Sequence, residues 1–128
     1  MKKRVVLLVD DEVDFLKLMS VRIESWDYDV LNAENASRTM EIVRSKQADI
    51  IVLDYIMPDI DGIELLRQIR QIDKKIPVIM FTAYPDLKSI EGATELGVTC
   101  YTPKLGVYSE DQESLKSALH MAMEKLEK

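Results

Sequence analysis

The sequence predicts an α/β fold, a doubly wound five-stranded parallel sheet built as (βα)5. Three observations carry this. Short apolar runs alternate with stretches of helical periodicity from one end of the chain to the other. The run at 5–9 is β-branched and aliphatic on both faces, as expected of a buried parallel strand, and further apolar runs stand at 50–53 and 78–81. The connections are short, with no linker, repeat or low-complexity segment, and right-handed crossovers then wind the chain onto one sheet.

The elements follow in order. After the first strand, residues from Glu12 to about Trp26 place Phe15, Leu18, Met19 and Ile23 on one helical face. Residues 28–31 are a weaker strand. Asn35 or Ser37 caps a helix running to about Lys46, with Met40 and Val43 inward. The third strand is 50–53, and its loop is marked by Pro58 and Gly62. Asp61 caps the next helix, which carries Ile63, Leu66 and Ile69. Residues 77–81 are the fourth strand. A helix from about Asp86 to Leu96 is stopped by Gly97, and 98–101 form the fifth strand. Ser109 with Gln112 three residues on reads as a capping box for the last helix. That helix buries Leu115, Ala118, Leu119, Ala122 and Leu126. Its apolar spacing also suits a heptad seam, but covering the sheet is the preferred use.

Composition narrows the function classes. A chain of 128 residues fits one domain, taken as 1–128. The net charge of -6 disfavours nonspecific nucleic-acid binding. The single cysteine, Cys100, excludes an internal disulfide and suits a reducing compartment. No apolar run approaches the roughly 18 residues of a membrane span, and Met1-Lys2-Lys3-Arg4 leads straight into a strand without a signal-peptide pattern.

Polar residues cluster where the strands end. Asp10 and Asp11 follow the first strand, Asp54 the third, Thr82 the fourth, and Lys104 lies beyond the fifth. In a parallel sheet these ends share one edge, where ligands of open α/β sheets bind. Three carboxylates, a hydroxyl and an ammonium in one crevice can hold a divalent cation and handle a phosphoryl group. Each residue alone has a plainer use: Asp10 and Asp11 as helix caps, Asp54 in a turn, Thr82 as a cap, Lys104 in solvent. One crevice explains them together.

On Val9-Asp10-Asp11, Leu53-Asp54 with Met57-Pro58 and Asp61-Gly62, Thr82-Ala83, and Tyr101 three residues before Lys104, the chain resembles the receiver domain of two-component response regulators over nearly its whole length. The resemblance implies strand order 2-1-3-4-5. It implies that Asp54 accepts a phosphoryl group from a sensor histidine kinase or phosphotransfer protein. It implies that Asp11 and Asp54 ligate Mg²⁺ directly, that Asp10 acts through water, and that the carbonyl of Ile56 adds a ligand. Lys104 would pair with a phosphoryl oxygen or with Asp54. Thr82 would donate its hydroxyl, in a movement coupled to rotation of Tyr101. The chain would be a cytoplasmic phosphoacceptor that assists its own phosphorylation and dephosphorylation, rather than an enzyme. It would signal by contact with a downstream protein, as a monomer or a phosphorylation-dependent dimer, without direct contact to nucleic acid or membrane. His120 falls on the surface. Cys100 is a small buried hydrophobe, and the methionines fill core gaps. Trp26 lies near a helix end, far from the crevice.

The chain departs from the family pattern in two places. Pro103 precedes Lys104 instead of following it, and the segment from Lys104 to Leu115 is long. A cis Lys104–Leu105 bond would cost about 2.5–4 kcal/mol, so a trans bond is expected. Ile56 and Tyr84 occupy the two positions that in the family flank the hydrolytic water. Neither can act as a carboxylate or amide that orients it, so autodephosphorylation is expected to be slow. Two other classes remain: a receiver-fold interaction module that is not phosphorylated, and a phosphatase of the haloacid dehalogenase type. The latter needs a second aspartate two residues after the nucleophile, where Ile56 stands after Asp54 and Glu12 after Asp10.

Overall fold

The computed structural model describes residues 3–55, 57–82, 86–103 and 112–127. Strands β1 (Val5–Val9), β2 (Asp29–Ala33), β3 (Ile50–Leu53), β4 (Val78–Thr82) and β5 (Cys100–Pro103) alternate with helices α1 (Val13–Ser25), α2 (Ala36–Arg44), α3 (Gly62–Ile72), α4 (Leu87–Glu95) and α5 (Glu113–Leu126). All strand pairs are parallel, in the order β2-β1-β3-β4-β5. The order reverses between β1 and β3, so the edge of the sheet has its switch point there.

Strand periodicity sorts the core into two layers. Leu7, Val9, Ile51, Leu53, Val78 and Met80 face α2, α3 and α4, where Met40, Val43, Leu65, Leu66, Ile69 and Ala93 meet them. Val6, Leu8, Ile50, Val52, Ile79 and Phe81 face α1 and α5. Phe15 of α1 lies against Phe81 with ring centroids 5.9 Å apart. Leu115, Ala118, Leu119 and Ala122 of α5 are buried on this layer, and Leu126 packs half-buried at its margin. The α5 stripe therefore covers the sheet.

Four local expectations need correction. First, β2 runs from Asp29 to Ala33, not 28–31. Asp27 turns with φ 75° while its N–H still reaches Glu24 O, and the ladder begins only where Asp29 N–H donates to Arg4 O. Second, β5 is shifted in the same way. Gly97 turns with φ 71°, a conformation natural to glycine, and Val98 N–H closes the end of α4 by donating to Ala93 O. Third, Leu16 and not Leu18 joins Phe15, Met19 and Ile23 in the core. At 100° per residue, position 16 lies on the same side as 15, 19 and 23, whereas 18 falls outside their stripe and is 40% exposed. Fourth, Gln112 is itself the N-cap of α5, one residue before the helix, rather than a residue of its first turn as the capping box requires; Ser109 lies outside the described residues. Of the two candidates for α2 the cap is Asn35, Asp61 caps α3 as expected, and Asp86 caps α4 as well. Each accepts a hydrogen bond from the first turn of its helix.

Arg70 joins two parts of the fold that are distant in the chain. Its guanidinium donates to the carbonyls of Leu96, Gly97, Asp73 and Ile76 at 2.7–3.2 Å, tying the end of α3 to the turn before β5. Burial lowers its pKa, against the opposing pull of Asp73.

Candidate acidic site at the sheet edge

Register alone brings the first two acids together. Val9 is paired with Leu53, Asp10 N–H donates to Ala33 O, and Asp54 N–H donates to Val9 O, each at 3.1 Å. Asp10 and Asp54 thus leave neighbouring strands side by side at the switch point. Asp11 is the next residue, in the turn before α1. One carboxylate oxygen from each of Asp10, Asp11 and Asp54 lies within 4.8 Å of the others. Asp10 and Asp54 are buried and Asp11 is exposed, so the cluster has one wall open to water.

Asp10 serves two ends. Its Oδ1 accepts the Glu12 N–H at 2.9 Å, while Glu12, the N-cap of α1, provides no side-chain cap. The plain capping use of this aspartate is therefore present alongside the cluster.

Thr82 is the last residue of β4 and fully buried. The pairing of Leu53 with Met80 puts it on the strand adjoining Asp54, two residues beyond that rung. Tyr101 is half-buried in β5 opposite Met80, on the same sheet face as Thr82. Lys104, Ile56, Tyr84 and the Lys104–Leu105 bond lie outside the described residues. Of the remaining residues singled out, His120 is exposed and 3.0 Å from Glu124, and Cys100 is only half-buried, where full burial was expected. Trp26 caps the far end of α1 and packs on the α5 layer.

The loop after Asp54 is held from both sides. Asp59 accepts the Ala36 N–H at 3.2 Å, and Asp61 accepts the Ile63 N–H at 2.7 Å. Gly62 N–H donates to Tyr55 O at 2.8 Å. A Cβ at Gly62 would lie 2.6 Å from Tyr55 Cα and 2.8 Å from Asp54 O, too close for any side chain. Gly62→Ala is therefore expected to push the backbone of Asp54 out of place and cost roughly 1–3 kcal/mol. Urea unfolding measures this, and an unchanged midpoint would show that the loop yields freely. Beside the cluster, burial pushes the Tyr55 phenol up, and the carboxylates of Asp61 and Asp86 together with Tyr101 push it the same way.

The chemistry of the donor set is specific. Three oxygen donors, no sulfur and no imidazole suit a hard cation, and the exposed wall leaves room for the waters such an ion keeps. Mutual repulsion of three crowded carboxylates is relieved by a divalent charge.

Comparison with known proteins gives matches over nearly the whole chain. The family model of the response regulator receiver domain matches residues 6–120. Sporulation initiation phosphotransferase F of Bacillus subtilis (strain 168) is 32% identical over 114 residues, covering 89% of this chain and 92% of that protein. The transcriptional regulatory protein GlrR of Escherichia coli (strain K12) is 30% identical over 119 residues, 93% of this chain but 26% of that protein. The chain thus spans about a quarter of the length of that regulator. The crystal structure of the signal receiver domain of an HD domain-containing protein from Pseudomonas fluorescens Pf-5 superimposes with a TM-score of 0.88 at 26% identity, covering 99% of this chain and 100% of that one.

Proposed function

This chain belongs to the response regulator receiver domain family, and from that premise we propose that it is a Mg²⁺-dependent switch in which Asp54 takes a phosphoryl group from a histidine kinase or phosphotransfer protein. The observation that carries the proposal is the convergence of Asp10, Asp11 and Asp54 at the switch point. Receiver domains as a class are phosphoacceptors and generally bind Mg²⁺ through acidic residues.

In this reading an Asp54 carboxylate oxygen attacks the phosphorus of a phosphohistidine. The new O–P bond forms as the P–N bond breaks, and the imidazole nitrogen leaves with the electron pair and gains a proton. Asp10, Asp11, Asp54 and the carbonyl of Ile56 would hold the cation, which supplies positive charge where an anion approaches an anion. The Thr82 hydroxyl donates to one phosphoryl oxygen and the Lys104 ammonium pairs with another, so that positioning and charge carry the catalysis. Rotation of Tyr101 then reports the state to a downstream protein. The net charge of -6 makes direct contact with nucleic acid by this domain unfavourable, and a cytoplasmic setting fits the single reduced cysteine. The test is incubation with acetyl phosphate and Mg²⁺. One addition of about 80 Da in the intact mass, as a single acyl phosphate gives, supports the reading; no addition at any Mg²⁺ concentration counts against it.

The acyl phosphate should decay slowly. Ile56 and Tyr84 offer no general base to the hydrolytic water. The double variant Ile56→Asn, Tyr84→Glu is expected to release phosphate on the order of ten-fold faster, about 1.4 kcal/mol in barrier. Equal decay of the two proteins, followed by intact mass, would refute this account of the slow decay.

A further inference from the structure

The hydroxyl of Tyr101 lies 2.6 Å from that of Ser89, the third residue of α4. Ser89 is 1% exposed, and its hydroxyl has three partners. Its Oγ donates to Asp86 O at 3.0 Å and accepts the Asp86 N–H at 3.4 Å, while Asp86 Oδ1 accepts the Ser89 N–H at 2.8 Å. A serine hydroxyl has one proton and two lone pairs. The Asp86 carbonyl also accepts the Ile90 N–H, so the serine proton can turn to Asp86 O or to Tyr101, and either hydroxyl can donate in the contact between them. The capping box of α4 thus ends in a hydroxyl bonded to the tyrosine of β5.

We propose that Ser89 is a positioning residue for Tyr101, fixing its rotamer to the first turn of α4 and so joining that turn to the phosphoacceptor edge. Tyr101 and Thr82 occupy one face of adjacent strands, with Tyr101 opposite Met80 and Thr82 opposite Pro103. A rotation of Tyr101 that answers Thr82 must break the bond to Ser89, and α4 then loses its only hydroxyl contact to β5 among the described residues. The role in switching rests on the phosphoacceptor reading above, whereas the contact itself does not.

Two measurements separate these. In protein labelled with 3-fluorotyrosine, five resonances are expected from the five tyrosines, and Tyr101→Phe assigns one of them. Ser89→Ala should shift or broaden that resonance without any phosphoryl group present. An unmoved resonance overturns the contact, whatever Asp54 does. In the second measurement, initial phosphorylation rates with acetyl phosphate and Mg²⁺ are compared in a double-mutant cycle. Ser89→Ala should change the rate by about two- to ten-fold, the worth of one hydrogen bond, in the wild-type background, and should have no further effect in the Tyr101→Phe background. The same change in both backgrounds would mean that Ser89 only caps α4, and no change in either would remove its part in the switch; both results overturn the proposal. Far-UV circular dichroism confirms that each variant is folded.

Discussion

Asp54→Asn is expected to abolish phosphoryl uptake from acetyl phosphate while leaving the fold intact. The amide is nearly isosteric with the carboxylate but lacks the anionic oxygen that attacks phosphorus. No other carboxylate should take over. Asp10 is committed to the Glu12 N–H at 2.9 Å, and Asp11 stands on the exposed wall of the cluster. The substitution should also stabilise the protein in the absence of divalent cations. It removes one of three negative charges whose oxygens lie within 4.8 Å of one another, a relief on the order of 1 kcal/mol or more. Thermal unfolding in EDTA reads this directly. A lower midpoint than wild type would mean that Asp54 makes a structural contribution larger than the repulsion.

Removing the cation should be almost as severe as removing the acceptor. With EDTA, or in Asp11→Ala, phosphorylation should fall by on the order of a hundred-fold or more, because charge stabilisation by a bound metal is worth several kcal/mol in the transition state. Asp11 is the informative ligand to change. It is exposed and outside the core, so its loss should leave the fold intact. Titration of wild type and Asp11→Ala with Mg²⁺, followed by initial rates, measures both effects. Rates in EDTA equal to those in Mg²⁺ would show that the three carboxylates are not a metal site.

What could be read from the residues follows from how each element is buried. β1, β3 and β4 are enclosed on both faces, so their apolar runs and their strand bounds nearly coincide. β2 and β5 start later than their apolar runs because the preceding helices end in hydrogen bonds that consume Asp27 and Val98. Those bonds depend on left-handed residues at Asp27 and Gly97, and only the glycine announces itself in sequence. Leu18 shows the limit of periodicity: an apolar residue near the stripe passes for core, although Leu16 fits the angle better. The acids of the site were legible for a topological reason. Parallel strands carry their C-terminal residues to one edge, and an aspartate directly after a buried strand has few other places to go. The hold of Arg70 on the carbonyls of Leu96 and Gly97 and the bond from Tyr101 to Ser89 were not legible. Both depend on side-chain reach between elements that only the register of β5 and the packing of α3 and α4 bring together.

The assignment of Asp54 as acceptor can be settled on the wild-type chain by chemical mapping. After phosphorylation with acetyl phosphate and Mg²⁺, borohydride reduces an aspartyl phosphate to homoserine, and peptide mass spectrometry locates the change. Homoserine at position 54, absent from the EDTA control, is the expected result. Homoserine at position 10 or 11, or a phosphoryl group that survives on a hydroxyl or imidazole side chain instead, would contradict it.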